Sequence, residues 1–135
     1  MLLAERRYVL LRHECPADYR DGPHWDLMLE DGDTLRTWSL LSLPYAWRDP
    51  PPSAAMRKLR RRPVSATELP PHRLAYLEYE GEISGDRGSV ARVAEGVFEW
   101  LVDEPKRVVL EATTGRLQGV WRLEQIGPEW RLNVE

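Results

Sequence analysis

Apolar and polar positions alternate with a period of two over much of the chain. HWDLMLEDG (24–32) sets Trp25, Leu27 and Leu29 on one face and His24, Asp26, Met28 and Glu30 on the other, the spacing of a β-strand. TLRTWSLL follows across Asp31-Gly32, a dipeptide that favours a tight hairpin. RRYVLLRHE (6–14) is rich in aliphatic residues and predicts a buried strand, and ECPADYRDGP (14–23) predicts a loop. RLAYLEYEGEI (73–83) alternates again. From Gly88 onward SVARVA, GVFEWLV, RVVLEAT, LQGVWRLEQI and EWRLNV read as an antiparallel meander. Its breaks fall at Glu95-Gly96, Asp103-Glu104-Pro105, Thr113-Thr114-Gly115 and Gly127-Pro128. Helical signals occur once: Ser53 is an N-cap candidate ahead of AAMRKLRR, and Pro63 ends the run. PYAWRDPPP (44–52) is an extended, proline-rich connection. The pattern predicts a mostly β fold, a small antiparallel β-barrel or a sandwich, with one short helix.

Composition narrows this. A chain of 135 residues is the size of one domain and can bury roughly two thirds of its unfolded surface. The single cysteine, Cys15, has no partner for an internal disulfide, which suits a reducing, cytoplasmic setting. Glu5, Arg6 and Arg7 interrupt the apolar N-terminus too early for a signal peptide, and no apolar run reaches the length of a membrane span. A net charge of −3 excludes a generic polyanion binder, yet MRKLRRR (56–62) is a compact basic run. Such a run is either a solvated helix face or an electrostatic footprint for nucleic acid. Trp25, Trp38, Trp100 and Trp121 fall within alternating strands and are expected in the core. Trp47, in the proline-rich connection, either packs over the end of the barrel or stacks on an unpaired base.

The candidate chemistry lies with three histidines, His13, His24 and His72. His13 closes the first predicted strand and His24 opens the second, so adjacent strands bring the two imidazoles together. Asp26 shares the face of His24. Two imidazoles and a carboxylate make a divalent-metal site with open positions. The same pattern also fits hydrogen-bonded structural histidines. His72 stands in PPHRLAYLEYEG with Tyr76 four residues on.

In this order the motifs resemble the 3′-phosphoesterase domain of bacterial DNA ligase D. That family reads His-Asp-Ala-Thr-Arg-Leu-His-Tyr-Asp-Phe-Arg-Leu-Glu, then an Asp-Gly turn, a Lys-Ser-Trp-Ala strand and His-Pro-Leu-Asp-Tyr-x-x-Phe-Glu-Gly. Here RHECP supplies His13. HWDLMLEDGDTLRTWSL supplies His24, Asp26, Glu30, Gly32 and Trp38, and HRLAYLEYEG supplies His72, Tyr76, Glu80 and Gly81. SGDRGSV stands at the family's Gly-rich turn, and GVFEWL and LQGVWRLEQ at its closing strands. The resemblance covers most of the chain except the proline-rich segment and the helix.

The resemblance implies a β-barrel that uses a divalent metal, usually manganese, to remove phosphates and ribonucleotides from 3′ ends in DNA repair. By position, His13, His24 and Asp26 correspond to metal ligands, His72 to the catalytic histidine and Tyr76 to a phosphate contact. Three departures stand out. The loop between His13 and His24 is longer than the family's. Met28 replaces a phosphate-binding arginine. Leu41-Ser42-Leu43 replaces Pro-Lys-Gly, removing another cation. Arg12, Arg36 and Arg87 are the candidate replacements, with Arg87 favoured because SGDRG is a turn.

The expected function is therefore a manganese-dependent 3′-phosphoesterase acting on nucleic-acid 3′ ends, DNA or a DNA–RNA junction. The expected state is a cytoplasmic monomer without a membrane partner. Ligase D carries ligase and polymerase domains on the same chain, so the expectation here is independent action or recruitment of such enzymes in trans. Two alternatives remain: a non-catalytic nucleic-acid- or partner-binding module on the same barrel, and a phosphoesterase for a small molecule.

Overall fold

The computed structural model describes residues 5–16, 22–48, 53–55, 62–83 and 87–135. Nine strands follow in chain order: β1 (Arg6–Glu14), β2 (His24–Asp31), β3 (Thr34–Leu40), β4 (Val64–Arg73), β5 (Gly81–Glu82), β6 (Ser89–Glu104), β7 (Arg107–Ala112), β8 (Gly119–Ile126) and β9 (Glu129–Val134). They form one sheet in the order β1-β2-β3-β4-β9-β8-β7-β6-β5. Every pairing is antiparallel, and β1 also pairs with β6, so the sheet closes into a ring with β5 appended to β6.

β1, β2 and β3 begin and end close to their predicted limits, but the hairpin turn falls one residue later than expected. Asp31 pairs with Thr34, so Gly32-Asp33 makes the turn, and Gly32 takes φ 64°. Primed hairpin turns need that left-handed geometry at their first central residue, and glycine adopts it without strain.

SVARVA and GVFEWLV are one 16-residue strand, β6, with no turn at Glu95-Gly96. Its first part pairs with β1 and its second with β7, Phe98 serving both ladders. Gly96 marks the handover for a packing reason. A Cβ there would lie 2.4 Å from the Thr114 carbonyl oxygen and 2.7 Å from the Tyr8 ring.

The segment 73–83 is not a strand throughout. Leu74–Leu77 forms a 3-10 turn, and only Gly81–Glu82 pairs, with β6. The preceding VSATELPPHR is the real strand, β4, despite Pro70 and Pro71. Prolines lack the donor a ladder needs. They are accommodated because the β3–β4 register shifts between Leu35 and Thr37, opposite them, while β9 pairs only with Val64–Ala66. Of the predicted helix, Ala54 and Ala55 are helical, and 56–61 lie outside the described residues, as does the basic run apart from Arg62. Elsewhere among the described residues the helical segments are 3-10 turns, at Tyr45–Trp47 and Leu74–Leu77. No helix among the described residues is long and apolar enough to cross a membrane.

Both faces of β2 are buried, which a half-solvated strand would not require. Leu27 and Leu29 join Tyr8, Leu10, Trp38, Phe98, Trp121, Trp130 and others in the larger core cluster, drawn from all around the ring. Trp47 belongs to it, 3% exposed and edge-on to Trp121 at 4.7 Å, so it packs in the core rather than offering a base-stacking surface. Met28 lies on the opposite face of β2, in a smaller cluster with Val9, Leu11, Leu35, Leu77 and Val90. His13, His24 and Asp26 share this second face.

Candidate metal centre

Antiparallel register builds the centre. His13 pairs with His24, Leu11 with Asp26 and Val9 with Met28, so all six side chains point to the second face. The imidazole centroids are 4.7 Å apart, edge to face. His13, His24 and Asp26 are 3%, 1% and 3% exposed.

Backbone carbonyls fix both rings. His13 Nε2 lies 2.7 Å from the Arg87 carbonyl oxygen, and His24 Nδ1 lies 2.8 Å from that of Gly22. A carbonyl only accepts, so these nitrogens carry the ring protons. In the neutral rings, His13 Nδ1 and His24 Nε2 then present lone pairs. Those two atoms face the same carboxylate, at 3.6 Å from Asp26 Oδ2 and 3.2 Å from Asp26 Oδ1 respectively. Two imidazole lone pairs and a carboxylate facing one another form a donor set that attracts positive charge. A divalent cation suits that donor set. Ligating histidines typically hold the second ring nitrogen on a carbonyl or carboxylate, as both do here. The residues therefore fit a metal.

The Arg87 carbonyl reaches His13 because of Gly88, whose φ is 90°. A Cβ at Gly88 would stand 1.8 Å from the Glu14 carbonyl oxygen and 2.7 Å from Cys15 Cα. Only glycine permits this approach of the turn to the end of β1.

Cys15 is a further member that the sequence pattern did not single out. It offers Sγ within a cluster in which ligand atoms of His13, Cys15 and His24 all lie within 4.8 Å of one another. Its thiol donates to the Gly22 carbonyl at 3.0 Å. The available signal is His-x-Cys at the end of a strand, a spacing that returns both side chains to one face.

A small cavity of about 40 Å³ adjoins the centre and is lined by Asp26, Met28, His72, Tyr76, Ile83, Arg87 and Val90. It gathers four of the predicted site residues from separate parts of the chain. His72 belongs to β4 and Tyr76 to the 3-10 turn, with centroids 5.6 Å apart. They meet through that turn, not by strand alternation. His72 Nδ1 lies 2.9 Å from the Pro70 carbonyl oxygen, which assigns the ring proton to Nδ1 and leaves Nε2 with the lone pair. A cleft of about 540 Å³ opens beside His24, lined partly by Ser39, Ser42, Ser65 and Thr67. A larger one, about 630 Å³, lies against Tyr45, Trp47, Arg62 and Arg116 and shares no residue with the centre.

Arg12 and Arg36 do not line this cavity. Arg12 pairs with Trp25 on the other face of the sheet, stacks over its ring at 4.3 Å and bonds Glu14 at 2.7 Å. Arg36 is held by Glu68 and Asp103, each at 2.9 Å, and by the carbonyls of Glu104 and Pro105. It also stacks over Trp38 at 4.9 Å. Each is placed by structural contacts that a phosphate would have to break.

No protein-family model matches the chain, and no curated protein matches it.

Proposed function

We propose that the protein is a divalent-metal-dependent phosphoesterase that processes 3′-phosphate or 3′-ribonucleotide ends of nucleic acid, manganese being the metal the sequence resemblance favours. On this reading the closed ring is the small barrel of the ligase D phosphoesterases. The observation that carries it is that Asp26, which faces His13 and His24, lines one small cavity together with His72, Tyr76 and Arg87.

The chemistry assigns each group a task. When bound, a divalent ion withdraws charge from a phosphate oxygen. His13 and His24 orient through their carbonyl contacts, and Asp26 supplies the negative charge that holds the ion. Water attacks phosphorus and releases a proton to solvent, the bond from phosphorus to the leaving oxygen breaks, and protonated His72 delivers a proton from Nε2 to that oxygen. The Tyr76 hydroxyl and the Arg87 guanidinium donate to the non-bridging oxygens, where charge builds up in the transition state. Pairing of β1 with β2 and β6 holds the histidines and the carboxylate at fixed distances. The direct test is release of phosphate, or of a terminal nucleoside, from a primer-template ending in a 3′-phosphate or a 3′-ribonucleotide, with and without manganese. Loss of the reaction in His24→Ala is expected.

One observation favours the second reading, a barrel that binds nucleic acid or a partner without catalysis. Met28 occupies the place of a phosphate-binding arginine and is 1% exposed, packed among aliphatic side chains. Metal binding without turnover on any 3′ end would select that reading.

A further inference from the structure

The metal reading assigns ligands from β1 and β2, yet a group of metal-ligating atoms at the same place includes a thiol. Ligand atoms of His13, Cys15 and His24 lie within 4.8 Å of one another. Tetrahedral zinc, with Zn–N near 2.0–2.1 Å and Zn–S near 2.3 Å, holds neighbouring ligands about 3.4 Å apart. Closure therefore needs movements of roughly an ångström. Cys15 can supply such a movement because it follows the last residue of β1 and is outside the ladder.

We infer that Cys15 joins His13 and His24 as a ligand for a thiophilic divalent ion of the zinc class, giving the centre a soft mode of metal binding beside the hard one. This rests on the proposal that these histidines form a metal centre. Hard ions such as manganese take imidazole and carboxylate and retain open positions, whereas soft thiolate selects zinc. In the soft mode the sulfur donates an electron pair to the ion, the S–H bond breaks and the proton leaves to solvent. No electron is transferred. The thiol then gives up its bond to the Gly22 carbonyl, while His24 Nδ1 stays on the same oxygen. The group supplies three protein ligands to such an ion, and zinc held there competes with the hard metal for His13 and His24.

The test uses the whole chain, reduced and metal-free, and the metals alone. Cobalt(II) reports a thiolate ligand through a sulfur-to-cobalt charge-transfer absorption. The expected result is such a band saturating at one equivalent of cobalt in the wild type and absent in Cys15→Ser. The substitution lowers zinc affinity by more than about a hundredfold, beyond the usual loss for an outer-shell partner, and leaves manganese affinity unchanged by calorimetry. A wild-type chain that binds cobalt without the band overturns the inference, and needs no variant to fold. Equal losses for zinc and manganese in Cys15→Ser overturn it too, by making the effect structural. Since no substrate is involved, failure of the phosphoesterase assay leaves these outcomes untouched. An absent cobalt band with intact manganese binding overturns the soft mode and leaves the proposed function standing.

Discussion

Asp26 Oδ1 lies 3.2 Å from Nε2 of His24, two residues earlier on the same strand, with both side chains at most 4% exposed. Because the other ring nitrogen is committed to the Gly22 carbonyl, the carboxylate and the imidazole lone pair face each other. On the proposed reading, Asp26→Ala removes both a ligand and the charge that attracts the ion. Manganese affinity, measured by calorimetry, should fall by more than about a hundredfold, with folding retained. Unchanged manganese affinity in this variant would remove Asp26 from the centre.

His72 lines the cavity beside Asp26, contacts the Tyr76 ring and bonds the Pro70 carbonyl. His72→Ala should fold, bind manganese as the wild type does and lose roughly 10²–10⁴-fold in turnover on 3′-phosphate ends. If metal affinity drops with it, His72 is a ligand, and the division between binding and proton transfer is wrong.

The centre is more legible in the sequence than the fold around it. His13, His24 and Asp26 are readable because strand alternation and antiparallel register follow local rules. Alternation also predicts that His72 and Tyr76 share a face, but along a strand that does not exist. Leu74, Tyr76 and Leu77 are apolar at intervals that suit a strand or a 3-10 turn equally, so local pattern cannot separate the two. β4 is hidden because its two prolines argue against a strand, and only the bulge opposite them, a tertiary feature, makes them tolerable. Gly96 carries the signal of a turn when it is a close approach between strands. Charge alone points to Arg12 and Arg36 as phosphate contacts. What decides their placement is the aromatic and acidic company that side chains keep across strands, which one sequence does not display.

Tyr8 links stability to alkaline pH. It is buried, and its hydroxyl donates to the Thr114 carbonyl at 2.9 Å. Burial raises its pKa above the ordinary 10.0, so the folded state keeps a proton that the unfolded state releases. The resulting stabilisation is complete below about pH 10 and is lost as pH rises from there through the folded-state value. Urea unfolding should show this decline in the wild type. Tyr8→Phe should unfold about 1–3 kcal/mol more easily at neutral pH through the lost hydrogen bond and show a shallower alkaline decline. An identical slope in both proteins would mean that another group titrates.

Met28 cannot simply be exchanged for an arginine. It is 1% exposed and packs with Val9, Leu11, Leu35, Leu77 and Val90, although it also borders the cavity. A guanidinium there must be desolvated, and the carboxylates two residues away on the strand face are already engaged, Asp26 with two imidazoles and Glu30 with the Arg7 amide. Met28→Arg should therefore lower stability by more than about 2 kcal/mol, while Met28→Leu costs less than about 1.5 kcal/mol. Urea midpoints compare the two. Should Met28→Arg be as stable as the wild type and bind inorganic phosphate more tightly, the cavity opens to solvent and the apolar packing around Met28 is not what excludes the charge.

Gly88 tests whether the turn supports the metal from outside its ligand set. Its φ is left-handed at 90°, and an alanine Cβ would come within 1.8 Å of the Glu14 carbonyl oxygen, so the position leaves no room for a side chain. Gly88→Ala must push the turn away from the end of β1, and the Arg87 carbonyl goes with it. His13 then loses the acceptor that fixes its ring and its tautomer. Manganese affinity should drop about 10–100-fold, the range for a lost outer-shell partner. Arg87→Ala, which keeps the backbone and its carbonyl in place, should leave metal affinity unchanged and weaken only phosphate binding. Comparing the two variants separates the backbone's role from the guanidinium's. If Gly88→Ala binds manganese as tightly as the wild type, the carbonyl of residue 87 does not orient His13, and the ring must be held by its contacts on the strand alone.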